Sequence, residues 1–161
     1  MNFSTQQLRD QMQKLSQLNG HLTYRITKLS KLLEAEAILR LKGTGVNLTS
    51  YRIMLVVSIF EEITVSDLAR LMVIDRAQVS RLATEMTKQG LLTSKADKSN
   101  KLKKLLMLTE EGHARYGELR EAFQDRAELI TQHATEEELE VLWGIIERVN
   151  HSLSDRLEGA H

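Results

Sequence analysis

The feature that most constrains this chain is a pair of heptad-like apolar stripes, one near each end, in a sequence without proline. Toward the N-terminus, apolar residues fall at Leu8, Met12, Leu15, Leu22, Ile26, Leu29 and Leu33. Toward the C-terminus, Leu139, Leu142, Ile146, Val149 and Leu153 repeat the alternating three- and four-residue spacing of a helical seam. A proline inside such a segment would remove a hydrogen bond and clash with the preceding turn. At average usage, about 5%, a chain of this length would hold roughly eight. Long helices are therefore sustainable at both ends. Their stripes predict packing against each other, best satisfied across a two-fold axis. An ordinary monomeric bundle is the alternative.

Between the stripes the pattern changes several times. Asn19-Gly20 interrupts the first stripe, and Gly43-Thr44-Gly45 ends it. Thr49 is a good N-cap for a second, largely apolar helix running from Tyr51 to Ile59. Ile63–Val65 is short and β-branched, suited to a small strand, and Ser66 can cap a short helix carrying Leu68, Ala69, Leu71 and Met72. Val73-Ile74-Asp75 breaks that helix. Asp75 and Gln78 then have capping-box spacing for a helix from Arg76 to about Gln89, with Val79, Leu82, Ala83 and Met86 inward and Gly90 closing it. Two candidate strands, Leu91–Lys95 and Leu105–Leu108, flank a polar basic turn. Thr109 caps a helix predicted to run through Leu119, Phe123, Ala127 and Ile130, and Thr135 with Glu138 opens the last helix. The fold class is mainly α with a small β-wing. A winged helix-turn-helix over residues 47–108 is flanked by helical dimerisation segments at 1–46 and 109–161.

The formal net charge is zero, which taken alone argues against a general nucleic-acid binder. Its distribution argues otherwise. Residues 76–104 carry eight basic and two acidic side chains, whereas residues 105–161 carry five basic and thirteen acidic. A basic middle followed by an acidic segment is a local electrostatic footprint. Only seven residues are aromatic, which disfavours a base-stacking single-strand binder. With no cysteine, there is no disulfide scaffold, thiolate metal site or thiol redox sensor. Residues 1–20 lack the apolar core of a signal peptide, and the longest apolar run, Ile53–Ile59, is too short to span a bilayer. A cytoplasmic protein with no membrane association is expected.

Enzymatic motifs are missing. The histidines at 21, 113, 133, 151 and 161 form no HExxH pair, and there is neither a glycine-rich phosphate loop nor a GxSxG elbow. Ser66, Asp67 and His113 could be imagined as a triad, but the first two stand where a helix starts. No catalytic residue, metal ligand or cofactor is assigned.

The sequence resembles the MarR (multiple antibiotic resistance regulator) family of winged helix-turn-helix transcription regulators. The resemblance is carried by Leu48-Thr49-Ser50-Tyr51-Arg52, by Thr64-Val65-Ser66-Asp67-Leu68-Ala69, by Asp75-Arg76-Ala77-Gln78-Val79-Ser80-Arg81-Leu82 running on to Lys88-Gln89-Gly90-Leu91, and by Leu108-Thr109-Glu110-Glu111-Gly112. It implies a homodimer joined by the terminal helices that binds pseudo-palindromic operator DNA, often as a repressor released by a small ligand. One departure stands out. Where the family's wing usually holds an Asp and, two residues on, an Arg, this chain has Asn100 and Leu102. Leu102 cannot make a charged minor-groove contact, so Lys98, Lys101, Lys103 and Lys104 are assigned to phosphate instead.

On the recognition helix, Arg76, Ala77, Gln78, Ser80 and Arg81 face away from Val79 and Leu82. Arginine reads guanine O6 and N7, glutamine reads adenine, and alanine touches a thymine methyl. Ser80 and Ser66 suit phosphate contacts, while Asp75 reads as a structural cap. His21, Tyr24 and Arg25 offer an aromatic wall and a cation for a small aromatic or phenolic effector. The competing reading is a helical homodimeric protein-interaction module without DNA binding, which would account for the stripes but not for the basic helix and wing.

Overall fold

Helix α1 (Thr5–Asn19) and helix α2 (Leu22–Arg40) part at the expected Asn19-Gly20 step. There the Gly20 N–H donates to the carbonyls of Ser16 and Gln17, and His21 is extended at the N-cap of α2. The computed structural model describes residues 5–97 and 103–158 and divides into two compact units, Met1–Arg120 and Glu121–His161.

In the first unit, α3 (Leu48–Phe60) starts earlier than the Thr49 cap predicts. Asn47 is the cap, its side chain accepting from the Ser50 N–H at 2.9 Å, and Thr49 lies inside the first turn. Strand β1 (Ile63–Thr64) leads directly into α4 (Val65–Met72). Thr64 caps α4, in place of the expected Ser66. Its Oγ1 accepts from the Asp67 N–H at 3.1 Å and donates to Asp67 Oδ2 at 2.6 Å. Both corrections have one cause: the cap must be the last residue with extended backbone, and that is Asn47 and Thr64 (ψ 162° and 154°).

Helix α5 (Arg76–Lys88) opens on Asp75, whose Oδ1 accepts from the Gln78 N–H at 3.0 Å. It closes at Gly90, whose φ of 76° is the left-handed conformation a side chain would strain. Strands β2 (Leu92–Ala96) and β3 (Lys104–Leu108) pair antiparallel from Leu92 opposite Leu108 to Ala96 opposite Lys104. β1 joins the other edge of β3, with Ile63 opposite Leu106, giving the order β1-β3-β2. This is the winged helix-turn-helix. Its core is built from Ile53, Met54 and Val57 of α3, Leu68 of α4, Val79 and Met86 of α5, and Leu92 of β2, all essentially inaccessible to solvent. Leu82, expected inward, is only half-buried.

The Leu108–Gly112 stretch fastens the wing's exit to the end of α5. Thr109 Oγ1 donates to the Gly90 carbonyl at 2.5 Å and accepts from the Gly112 N–H at 2.9 Å, while the Thr109 N–H donates to the Leu91 carbonyl. A Cβ on Gly112 would overlap that Leu91 oxygen, so the close approach requires glycine. Helix α6 (Glu110–Glu121) then packs back, with Tyr116 and Tyr51 of α3 at a ring separation of 6.1 Å. Glu34 of α2, bonded to Lys31 at 2.7 Å and 3.5 Å from Arg52 of α3, is held below the ordinary carboxylate range by those cations, Lys31 first.

The helix predicted to continue through Ile130 does not. α6 stops at Glu121, and α7 is the short segment Glu128–Thr131. Burial ends with Leu119; Phe123 is half-buried and Ile130 exposed. With no core to follow, the backbone tightens to bonds such as Arg126 N–H to Phe123 carbonyl. The second unit ends in α8 (Glu136–Glu158), opened by the expected reciprocal box. The Thr135 N–H donates to Glu138 Oε2 at 2.9 Å, and Thr135 Oγ1 accepts from the Glu138 N–H at 3.2 Å. Among the described residues no helix is long and apolar enough to cross a membrane.

Candidate nucleic-acid interface

Helix α5 turns its core positions, Val79, Ala83 and Met86, onto the winged fold. At about 100° per residue the opposite side carries Ala77, Arg81, Thr84 and Lys88 at its centre. All four are exposed. A charged and polar stripe on the outer face of the second helix of a helix-turn-helix is the arrangement that enters a major groove.

On one flank of that stripe lies a groove of about 750 Å³. Three elements meet around it. The start of α4 supplies Thr64 to Asp67, the start of α5 supplies Asp75, Arg76, Ala77 and Ser80, and the foot of the wing supplies Lys103 and Lys104. Six of the residues singled out in the sequence (Ser66, Arg76, Ala77, Ser80, Lys103 and Lys104) are therefore brought together. The two carboxylates in the groove are committed locally. Asp67 is held by Thr64 and by Arg70 Nη2 at 2.9 Å, and Asp75 by the Gln78 N–H. Among the described residues, Arg76, Lys103 and Lys104 are exposed and form no ion pair, so no carboxylate neutralises their charge locally. The N-terminal ends of α4 and α5, with their free N–H groups, add positive potential at the same place.

A shallower depression of about 270 Å³ runs along the outer face past Ser80, Arg81, Thr84, Glu85 and Lys88. This extends the candidate interface beyond the sequence assignment. Thr84 and Lys88 are not among the residues assigned there, yet Thr84 stands one turn after Arg81 and Lys88 two. The i, i+3 and i, i+7 spacing from Arg81 is the signal that would have found them. Thr84 Oγ1 donates to the Ser80 carbonyl at 2.8 Å, so its hydroxyl is engaged with the helix backbone.

Gln78 departs from the expected face. It is exposed, but it lines neither of these depressions and instead stands with Leu82 beside the α2–α3 connection. The wing base is tied down by an ion pair between Lys95 of β2 and Glu62 of the turn before β1. Lys98 and Lys101, with Asn100 and Leu102, lie outside the described residues. His21, Tyr24 and Arg25 share the first turn of α2. His21 makes no side-chain cap bond, Tyr24 is half-buried and Arg25 exposed, and none lines either depression.

Comparison with known proteins agrees with this architecture. Residues 44–101, a stretch that includes α3, α4, α5 and β2, match the model of the MarR family. No curated protein sequence matches this one. Among solved structures, the transcriptional regulator SlyA superposes with a TM-score of 0.78 at 21% identity, covering 87% of this chain and 99% of its own. A mutant of MarR from E. coli complexed with operator DNA gives 0.70 at 17%, covering 80% and 92%. CouR from Rhodococcus jostii RHA1, bound to p-coumaroyl-CoA, gives 0.72 at 17%, covering 85% and 94%.

Proposed function

We propose that this chain, whose fold is that of the MarR-family transcription regulators, is itself a sequence-specific DNA-binding regulator. It acts as a homodimer on pseudo-palindromic operators, represses by occupying them, and is released by a small ligand. The observation that carries the reading is the convergence of Arg76, Lys103 and Lys104, none of them ion-paired, on the groove beside the outer face of α5. In this reading Arg81 and Arg76 read guanine edges, Ala77 and the Thr84 methyl meet thymine methyls, and Ser66, Ser80, Lys98, Lys101, Lys103 and Lys104 hold phosphate. Two such helices about 34–36 Å apart on a dimer would meet two half-sites on one face of the duplex. The E. coli relative in complex with operator DNA supports the reading by its fold alone.

The test is a mobility shift with the DNA upstream of the chain's own gene, run at several salt concentrations. Wild type should bind with a steep salt dependence. Arg81→Ala should lose specific binding by at least about tenfold, the cost of one good bidentate base contact. Lys103→Ala with Lys104→Ala should weaken all sequences alike and flatten the salt slope by up to roughly two contacts. Wild-type affinity in the Arg81 variant would remove the assigned reading face. An absence of any salt-dependent shift would favour the protein-interaction module.

A further inference from the structure

Helix α5 carries three basic side chains, Arg76, Arg81 and Lys88, and a single acidic one, Glu85. We propose that Glu85 is a specificity-determining residue that selects a cytosine in each half-site, beside the guanine read by Arg81. The proposal rests on the DNA-binding reading above and adds a base that reading does not assign.

Glu85 belongs to the outer face of the helix. It is exposed, and with Ser80, Arg81, Thr84 and Lys88 it lines the depression of about 270 Å³. Four residues after Arg81, it stands about 40° around the helix and about 6 Å further along the axis. Along DNA that rise corresponds to about two base steps.

An acidic residue on a helix surface ordinarily serves an ion pair with a neighbour three or four positions away. Glu85 has two such cations, Arg81 before it and Lys88 after it, and among the described residues it pairs with neither. Arg81 precedes Glu85 in the chain, which is the less favourable order for a pair on a helix. The one side-chain bond to Glu85 among the described residues comes from the Gln89 amide, at a long 3.4 Å to Oε1. Oε2 is left to accept from elsewhere, and the charge of Arg81 is left for a base.

In a major groove an unneutralised carboxylate meets few compatible partners. Phosphates repel it, and guanine N7 and O6 and thymine O4 are all acceptors. Adenine offers its N6 amine beside the N7 acceptor. Cytosine presents the N4 amine with no acceptor of its own on that edge, so it accommodates the carboxylate best. A basic face with one acid in it therefore attracts DNA in general and discriminates at one position.

The experiment selects bound fragments from random DNA with the full chain and with Glu85→Ala, a change at an exposed helical position that alanine suits. Wild type should recover a half-site in which a cytosine lies within about two base steps of a guanine whose preference disappears in Arg81→Ala. Placing guanine or thymine there should cost wild type about tenfold per half-site and Glu85→Ala less than about twofold. N4-methylcytosine at that position keeps its remaining N4–H in the base pair and turns a methyl to the groove. It too should weaken wild type by about tenfold and leave Glu85→Ala unaffected. On DNA without the site the variant should bind about two- to fivefold more tightly, since a repelling charge is gone. Its salt slope should be unchanged, because the carboxylate holds no phosphate. Identical base preferences in the two chains, or an equal loss on N4-methylcytosine, overturn the role of Glu85 and leave the regulator reading standing. Weaker binding of the variant to every sequence also overturns it, because that marks a purely structural side chain. Should wild type recover no common sequence, the role of Glu85 and the regulator reading fall together.

Discussion

The winged core and the terminal helices carry similar apolar residues at similar spacing, yet they dispose of them in opposite ways. Ile53, Met54, Leu68, Val79 and Met86 are fully enclosed by their own unit. Leu22, Ile26 and Leu29 of α2, and Val149 and Leu153 of α8, remain at least half exposed. The first set is satisfied by three layers of short elements folded over one another. The second lies on long helices whose apolar edges stay exposed. Spacing alone therefore identifies a helix with an apolar edge, and the surrounding topology decides whether that edge is consumed within the chain or left for a partner.

The contrast breaks most sharply in the core. Ile53→Ala should cost about 2–5 kcal/mol, the loss of buried methyl groups plus the cavity left behind. Denaturant unfolding should show it at every protein concentration, since nothing outside the unit contributes. Next comes the corner where the wing is fastened to α5. Gly112→Ala places a Cβ into the Leu91 carbonyl, so α6 must move away from the Gly90 turn. A loss of about 1–3 kcal/mol is expected, with DNA affinity falling beyond what stability explains because the end of the recognition helix is no longer held. A stability equal to wild type would show that the Thr109–Gly90 clasp is not a close contact.

A smaller effect of the opposite sign is expected at Val73, in the turn between α4 and α5. Its φ of 53° and ψ of 47° are left-handed, and a β-branched residue is poorly suited to them. The conformation is kept by the Val73 and Ile74 N–H groups, which donate to the Arg70 and Ala69 carbonyls and close α4. The side chain is 78% exposed and contributes little packing in return. Val73→Gly should stabilise the protein by about 0.5–1 kcal/mol, strain relief outweighing the greater freedom of glycine in the unfolded chain. Thermal unfolding checks it.

The fold was largely legible because its signals are local: stripes at helical period, a break at Asn19-Gly20, glycine at 90, and a basic turn between two apolar strands. The caps were misplaced by two residues because Asn47 and Thr49, or Thr64 and Ser66, are chemically equivalent candidates. Only backbone conformation separates them. The end of α6 was illegible for a different reason: residues 122–127 contain neither glycine nor proline, and the helix stops where its core runs out. Within the candidate site, Ser66, Arg76, Ala77, Ser80, Lys103 and Lys104 line one groove. Gln78 does not, although the angular position of Val79, Ala83 and Met86 already places it with Leu82. Sequence adjacency to Arg76 and Ala77 obscured a difference of about 100° around the helix for each residue.

The smallest change in intrinsic stability is expected where the change in assembly is largest. Ile26→Asp with Leu29→Asp alters two side chains that are 58% and 54% exposed, so the isolated chain should lose less than about 0.5 kcal/mol. If the α2 stripe is a subunit seam, however, each aspartate places a charge into an apolar interface and pairing should fail. Wild type should then sediment as a dimer with a melting temperature that rises with protein concentration. The double variant should sediment as a monomer with a melting temperature that does not, and the two should converge at the lowest concentration. Operator binding should weaken with dimerisation, since a lone winged unit meets only one half-site. A variant that stays dimeric would move the seam away from α2, and α8, with Trp143 63% exposed among its apolar residues, becomes the surface to mutate. A wild type that is monomeric at every concentration would leave both stripes without a partner and end the distinction between a self-sufficient core and a shared one.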